Sequence, residues 1–284
     1  MNMNGELKRF LKENKKSDQL YNQNLIKQIA EKKIHISFSQ NYEDVVIKRL
    51  FPNRKNFFYV DVGASSPIIN SNTMMFYLEG CHGINIEAQE KIIDDLKTYR
   101  KRDINVLQLV HSSIKLINFN YHKVPSRSSA VKKFIRLSKI GLNKSDGKTK
   151  IKKKKTDTLN NILKKNRCPK NFNILNIDVE GAEYNVLKGL NLNLYKPKVL
   201  IIETEPPYDL KKNLKKNLRS DKNKIKNYLN KFEYKEFYRD VLNTWYCKKN
   251  LYYKFSKKIN IAPAKIIDNY ITYTHYQSLI NNSK

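Results

Sequence analysis

The chain has 284 residues, 56 Lys and Arg against 26 Asp and Glu, and a formal net charge of +30. With 40% hydrophobic and 11% aromatic residues it can fill a packed core, which excludes wholesale disorder. No run reaches the roughly 18 apolar residues that span a bilayer. The N-terminus, MNMNGELKRFLKENKK, lacks the apolar stretch of a signal peptide, so a cytoplasmic protein is expected. Cys81, Cys168 and Cys247 lie too far apart for a zinc ribbon and are odd in number, which argues against a disulfide framework. The charge has two readings. Lys greatly outnumbers Arg and the whole chain is rich in Asn, Ile and Tyr, as an A+T-rich coding sequence produces; the same charge attracts nucleic acid or an anionic membrane surface.

Residues 1–33 carry Leu20, Leu25, Ile26 and Ile29 at helical spacing and read as an N-terminal helical extension. FFYVDVGA, residues 57–64, is a continuous apolar run ending at an acid and a glycine, the pattern of a buried parallel strand and a tight turn. A second strand is expected over 83–88, a helix over 89–101, a third strand over 104–111 and an extra strand over 115–121. Residues 124–155, rich in Ser, Lys and Gly and ending in Lys152–Lys155, read as a mobile basic insertion. A capped helix over Thr156–Lys165, a fourth strand over Asn173–Gly181, a helix over 182–190 and a fifth strand over 198–204 follow. Residues 209–231 read as a basic helix, and Tyr234–Tyr238 pairs with Thr244–Lys248 in a hairpin. The alternation predicts an α/β, doubly wound, mostly parallel sheet with an antiparallel edge. One domain over 34–250 is expected between the extension and a tail over 251–284.

In open α/β sheets ligands sit beyond the carboxyl ends of the strands. Asp61-Val62-Gly63-Ala64 ends the first strand, and Gly63 would let the backbone approach a ligand. Neither G-x-G-x-x-G nor G-x-x-x-x-G-K-[ST] occurs, against a dinucleotide oxidoreductase or a P-loop NTPase. Glu87 ends the second strand, where an acid can accept hydrogen bonds from both hydroxyls of a ribose. Asp178, Glu180 and Glu183 cluster at the end of the fourth strand, more acids than capping the next helix requires. Glu203, at the end of the fifth strand, reads equally as a solvated edge or as a carboxylate for acceptor hydroxyls. Trp245 and Tyr246 read as core rather than as a stacking platform.

Several segments, in order, resemble the FkbM family of S-adenosylmethionine-dependent methyltransferases. They are Ser39-Gln40-x-x-Glu43-Asp44; Tyr59-Val60-Asp61-Val62-Gly63-Ala64 with Pro67 and Ser71-Asn72-Thr73; Phe76-Tyr77-x-x-Gly80-x-x-Gly83-Ile84-Asn85-Ile86-Glu87-Ala88; Arg100-x-x-Asp103-x-Asn105; and Ile177–Glu183. The resemblance implies a Rossmann-like class I methyltransferase fold with a seven-stranded sheet whose last strand is antiparallel. It also implies O-methyl transfer to hydroxyls of sugars, glycans or related small molecules. By position, Asp61, Gly63, Ala64 and Asn72 would line the methionine end of the cofactor, Glu87 would hold the ribose, and His111 and Ser112 would pass near the adenine. Cys81 stands where the family usually has Trp, and Asn176 where Lys usually precedes I-D-V-E-G.

Methyl transfer requires alignment of the acceptor oxygen and removal of its proton. Asp178 is the first candidate base, Glu180 the second and His111 a third; Glu183 and Glu203 are candidate acceptor contacts. Asp178 and Glu180 are also the pair that would bind Mg²⁺, should the reaction be metal-assisted. The competing readings are an RNA methyltransferase or polyanion binder using the basic surface, and an idle module that keeps the fold. The basic helix would face a membrane only if its charges are not simply solvated.

Overall fold

A computed structural model describes residues 35–122, 128–131, 149–205, 212–259, 270–274 and 277. The expected helical extension over 1–33 lies outside the described residues. The strands are β1 His35–Ser37, β2 Phe58–Val62, β3 His82–Glu87, β4 Ile104–Leu107, β5 Leu109–Val110, β6 Leu116–His122, β7 Thr149–Asp157, β8 Ile174–Ile177, β9 Val199–Glu203, β10 Tyr234–Arg239, β11 Asn243–Lys248 and β12 Tyr270–Thr272. The helices are α1 Glu43–Leu50, α2 Met74–Leu78, α3 Glu90–Tyr99, α4 Leu159–Lys165, α5 Glu183–Lys188, α6 Lys212–Asn230 and α7 Tyr252–Ile259.

Seven strands form the main sheet, in the order β10-β11-β9-β8-β2-β3-β4. β11, the last of them in the chain, runs antiparallel to both β9 and β10, while β9-β8-β2-β3-β4 are parallel. Burial on both faces is why these strands read as continuous apolar runs. Tyr59, Ile174, Val199, Ile201, Trp245 and Cys247 face a core shared with α1, α2 and α7. Val60, Val62, Ile86, Leu175, Ile177, Leu200, Ile202 and Tyr246 face the opposite core, shared with α4, α5 and α6. Trp245 and Tyr246 are fully buried, so neither presents a platform to a sugar. The three cysteines are buried and free.

Two local expectations are corrected. The apolar run 104–111 is not one strand. It breaks at Gln108, whose N–H bonds the Glu87 carbonyl at 2.8 Å and whose side-chain amide donates to the Lys155 carbonyl at 2.8 Å. β5 thereby leaves the main sheet and pairs with β7. Second, the lysine run that closes the expected mobile insertion is a strand: β7 pairs antiparallel with β6 from Leu116↔Lys155 to His122↔Thr149. The intervening residues 123–127 and 132–148 lie outside the described residues. The tail, whose structure the sequence leaves open, contributes α7 to the first core and β12, which pairs parallel with β1.

α4 begins at Leu159, three residues after the expected start at Thr156, and the hydroxyl of the preceding Thr158 accepts the Asn161 N–H at 3.2 Å. A side-chain oxygen at that position satisfies one of the unpaired amides of the first turn.

Candidate active site

The α1-facing side of the sheet carries two polar rows. In the first, the register aligns Asn105 on β4, Asn85 on β3, Asp61 on β2 and Asn176 on β8. Residues in register on neighbouring strands point to the same face, so polar side chains here have only one another as partners. Asp61 accepts from Asn176 at 2.9 Å and from the Thr73 hydroxyl at 3.0 Å. Asn72 donates to the other end of Asn176 at 3.1 Å. Thus Asn176, where the family pattern has lysine, links Asp61 to Asn72 without bringing a charge.

Beneath this row lies Arg100, with no exposure to solvent. Its guanidinium donates to Asp103 at 3.0 Å, Tyr59 at 2.9 Å, Thr73 at 3.1 Å and the Pro67 carbonyl at 3.1 Å. Asp103 also accepts from the Tyr59 hydroxyl, the Gly83 N–H and Asn85, each within 2.9 Å. Burial raises the Asp61 carboxyl, while hydrogen bonds from Asn176 and Thr73 and the Arg100 charge hold it down.

The second row lies at the carboxyl ends of the strands. The Asp178 N–H bonds the Val62 carbonyl at 3.0 Å, and Asn243 pairs with Glu203 across β11 and β9. Gly63 sits beside Asp178 with φ +82°, and a Cβ there would lie 1.7 Å from the Asp178 carbonyl oxygen. Only glycine permits both that dihedral and that approach. Asp178 is exposed to solvent and Glu203 half-buried. Desolvation pushes its carboxyl up to about 6, with the Asp61 charge adding to the effect. Asp178 and Glu203 act on each other's titration in opposite senses, favouring ionised Asp178 and protonated Glu203. Glu203 is raised well above the ordinary range by desolvation, then by the charges of Asp178, Glu180 and Glu183.

Two further acids converge on this row. Asn243 donates to Glu43 at 3.0 Å and to Asp240 at 3.1 Å, and the Trp245 indole N–H donates to Asp240 at 2.6 Å. Desolvation and the Asp240 charge raise the Glu43 carboxyl to about 7. Sequence reasoning gave Glu43, Asp240 and Asn243 no role. The signal was the Ser39–Asp44 motif, whose acids serve different elements: Asp44 accepts from the Ser37 hydroxyl at 2.5 Å and the Phe38 N–H at 2.7 Å, fixing entry to α1.

The remaining expected site residues divide. Glu87 is buried at the end of β3 and accepts from the N–H groups of Ala88 at 2.7 Å, Gln89 at 3.1 Å and Ser65 at 3.2 Å. Its Oε2 thus keeps acceptor capacity toward the turn after β2. Ala64 is buried against Ile92, Ile93 and Leu96 of α3. Glu183 accepts from Val179 N–H at 3.1 Å and Gly181 N–H at 2.9 Å, so its carboxylate holds the turn that carries Glu180; burial raises it to about 7. Glu180 has φ +57°, and its carbonyl accepts from the Ser129 hydroxyl at 2.7 Å. His111 Nδ1 accepts from the Ser112 N–H at 2.8 Å and lies 3.0 Å from the Ser112 hydroxyl. Burial, with the charges of Lys115 and Lys188, lowers the His111 pKa. Asp178 and Glu180 gain no third ligand: among the described residues no group of three or more His, Cys, Asp or Glu is placed to hold a metal ion. The Mg²⁺ reading thus gains no support from the described residues. Among the described residues no helix is long and apolar enough to cross a membrane.

No curated protein matches the chain significantly. The profile of the methyltransferase FkbM domain matches residues 61–236, which run from the Asp61 turn through Glu87, Asp178 and Glu203 to β10. That match spans more than half of the sequence and contains most of both polar rows, and on it the chain belongs to the FkbM methyltransferase family.

Proposed function

We propose that the protein is an S-adenosylmethionine-dependent O-methyltransferase acting on a hydroxyl of a sugar, glycan or related small molecule, built on a Rossmann-like class I fold. Numbering only the main-sheet strands in chain order, the arrangement is third, second, first, fourth, fifth, seventh, sixth, with the seventh reversed. This supports the class I reading, because it puts a strand-order reversal between the first and fourth strands, where such sheets bind ligands. The observation that carries the function is the Gly63 turn held against Asp178 at the carboxyl ends of the strands, within the stretch that matches the FkbM domain.

S-Adenosylmethionine, when bound, supplies a methyl group activated by the sulfonium charge. Glu87 fits the ribose, because its carboxylate ends β3 beside the turn after β2, and a carboxylate oxygen can accept more than one hydrogen bond, as a diol requires. Gly63 and Asn72 border the adjoining turn. Asp178 takes the proton of the acceptor hydroxyl, since it is the ionised member of its pair with Glu203 and its raised pKa suits a base near neutral pH. Glu203 keeps its proton and directs it at Asp178, which fixes the orientation of the basic oxygen. His111 is less suited: with Nδ1 accepting from Ser112, the neutral ring carries its proton on Nε2 and has no free lone pair.

Calorimetric titration with S-adenosylmethionine, followed by labelled methyl transfer to a panel of sugar acceptors, tests the reading. Binding by wild type, weakened in Glu87→Ala, supports it. Absence of binding by folded wild-type protein refutes it.

A further inference from the structure

We propose that the β6–β7 ribbon is a docking surface for an anionic membrane, through aliphatic side chains set among lysines. In an antiparallel pair, residues directly opposite share a face. One face of the ribbon carries Ile117, Phe119 and Tyr121 and turns toward the body, where Phe119 packs with Ala88 and Leu109. The opposite face carries Leu116, Asn118, Lys153 and Lys155 at one end and Ile151, across from the buried Asn120, toward the other, while Lys150 and Lys152 stand opposite Tyr121 and Phe119 on the first face. Leu116 is 62% exposed, Ile151 58%, and Ile114, just before β6, 54%. Exposed aliphatics scattered singly are ordinary on a protein surface; here three of them fall on one strand pair and the residues just before it.

The charge around them is of one sign. Residues 112–122 and 149–156 contain no Asp or Glu. Lys115, Lys150, Lys152, Lys153 and Lys155 are all exposed. Lys154 alone is committed to the body, through the Ala88 carbonyl and Glu90 at 2.9 Å. Aliphatic groups that enter the acyl boundary, ringed by ammonium groups that meet acidic headgroups, match the chemistry of an anionic bilayer surface. Single-stranded nucleic acid would instead require stacking faces and is favoured by Arg. Here Phe119 is buried, Tyr121 lies beneath Lys152 and Lys154, and neither ribbon segment contains Arg.

The ribbon is anchored rigidly. Phe119 is buried, Asn120 and Ser129 exchange backbone bonds at 3.0 and 3.1 Å, and the Ser129 hydroxyl holds the Glu180 carbonyl. The docking does not depend on which acceptor the protein methylates.

The test is co-sedimentation of the full chain with vesicles of 70% phosphatidylcholine and 30% phosphatidylserine, and with pure phosphatidylcholine. Binding to the anionic vesicles alone is expected, weakening as salt is raised. Leu116→Asn with Ile151→Asn should lower the partition coefficient at least about fivefold with unchanged melting temperature, although the net charge is the same. Lys115→Gln, Lys153→Gln and Lys155→Gln together should lower it at least about tenfold. The triple control Lys231→Gln, Lys249→Gln and Lys254→Gln removes the same charge elsewhere and should change it less than about twofold. No binding to anionic vesicles overturns the proposal, as does an equal loss in the control. It is also overturned if the aliphatic variant binds vesicles normally while the ribbon lysines are required for binding a uridine oligonucleotide.

Discussion

The row Asn105–Asn85–Asp61–Asn176 and the row Gly63–Asp178–Glu203–Asn243 lie about two residues apart on one face of one sheet. The first buries Asp61 and Asp103 with a cation, Arg100, and a hydroxyl or amide for nearly every carboxylate oxygen. The second places Asp178, Glu203 and Glu43 among other acids, so burial and like charge push their protons on rather than off. A charge-balanced network fixes geometry, whereas an unbalanced one holds exchangeable protons. The difference separates a framework row from a chemical row in the same strands.

The largest expected effect tests the chemical row. Asp178→Asn should reduce methyl transfer by about 10²–10⁴-fold, the usual contribution of a general base, with little change in unfolding temperature; near-normal turnover would move the base elsewhere. The converse variant, Arg100→Met, should destabilise the fold by about 3–5 kcal/mol in urea unfolding, because it strands the buried Asp103 charge. A cost below about 1 kcal/mol would mean that the framework row is not held by its cation.

The protonation difference has its own signature. Glu43, 3% exposed, has a carboxyl raised from 4.5 to about 7, so between those pH values the folded state binds more protons than the unfolded state. Stability from this group is fully present below about pH 4.5 and is lost as pH rises through about 7. Between pH 4.5 and 8 wild type should therefore lose on the order of 3 kcal/mol more than Glu43→Gln, read by urea unfolding; parallel curves would show that Glu43 is not held protonated. Glu87→Ala should weaken S-adenosylmethionine binding by about 1–3 kcal/mol, the cost of an unmade buried hydrogen bond, in calorimetry. The smallest effect is expected for Glu203→Gln. An amide N–H can replace the carboxyl proton directed at Asp178, so turnover at neutral pH should change less than about tenfold, whereas Glu203→Ala should lose more.

Much of the site was legible because its residues sit at strand ends that the sequence marks clearly. Asp61, Glu87 and Asp178 each close an apolar run, and the runs could only be strands of a covered sheet. Glu43 and Asp240 were not legible as site neighbours. They are brought together by Asn243, 200 residues from Glu43 in the chain, and no local pattern reports such a meeting. Glu183 was legible as an acid of the cluster, but its hydrogen bonds to Val179 and Gly181 follow from the turn's conformation.

β7 shows the same limit in the framework. TKIKKKKTD has neither alternation nor strand propensity and resembles a charged loop. It is extended because β6 offers a complete antiparallel ladder and Phe119 anchors that partner in the body. β12 likewise depends on β1, at the other end of the chain.

The sequence by itself determined the alternating α/β order, the strand-terminal acids, the Gly63 turn and the family. Each of these is written in hydrophobic period or in a local run of residues. The tertiary structure decided which acids face each other, which are neutralised by Arg100, and which lysines and aliphatics share the outer face of the ribbon. Those outcomes depend on strand register and burial, which set distance and dielectric between residues far apart in the chain.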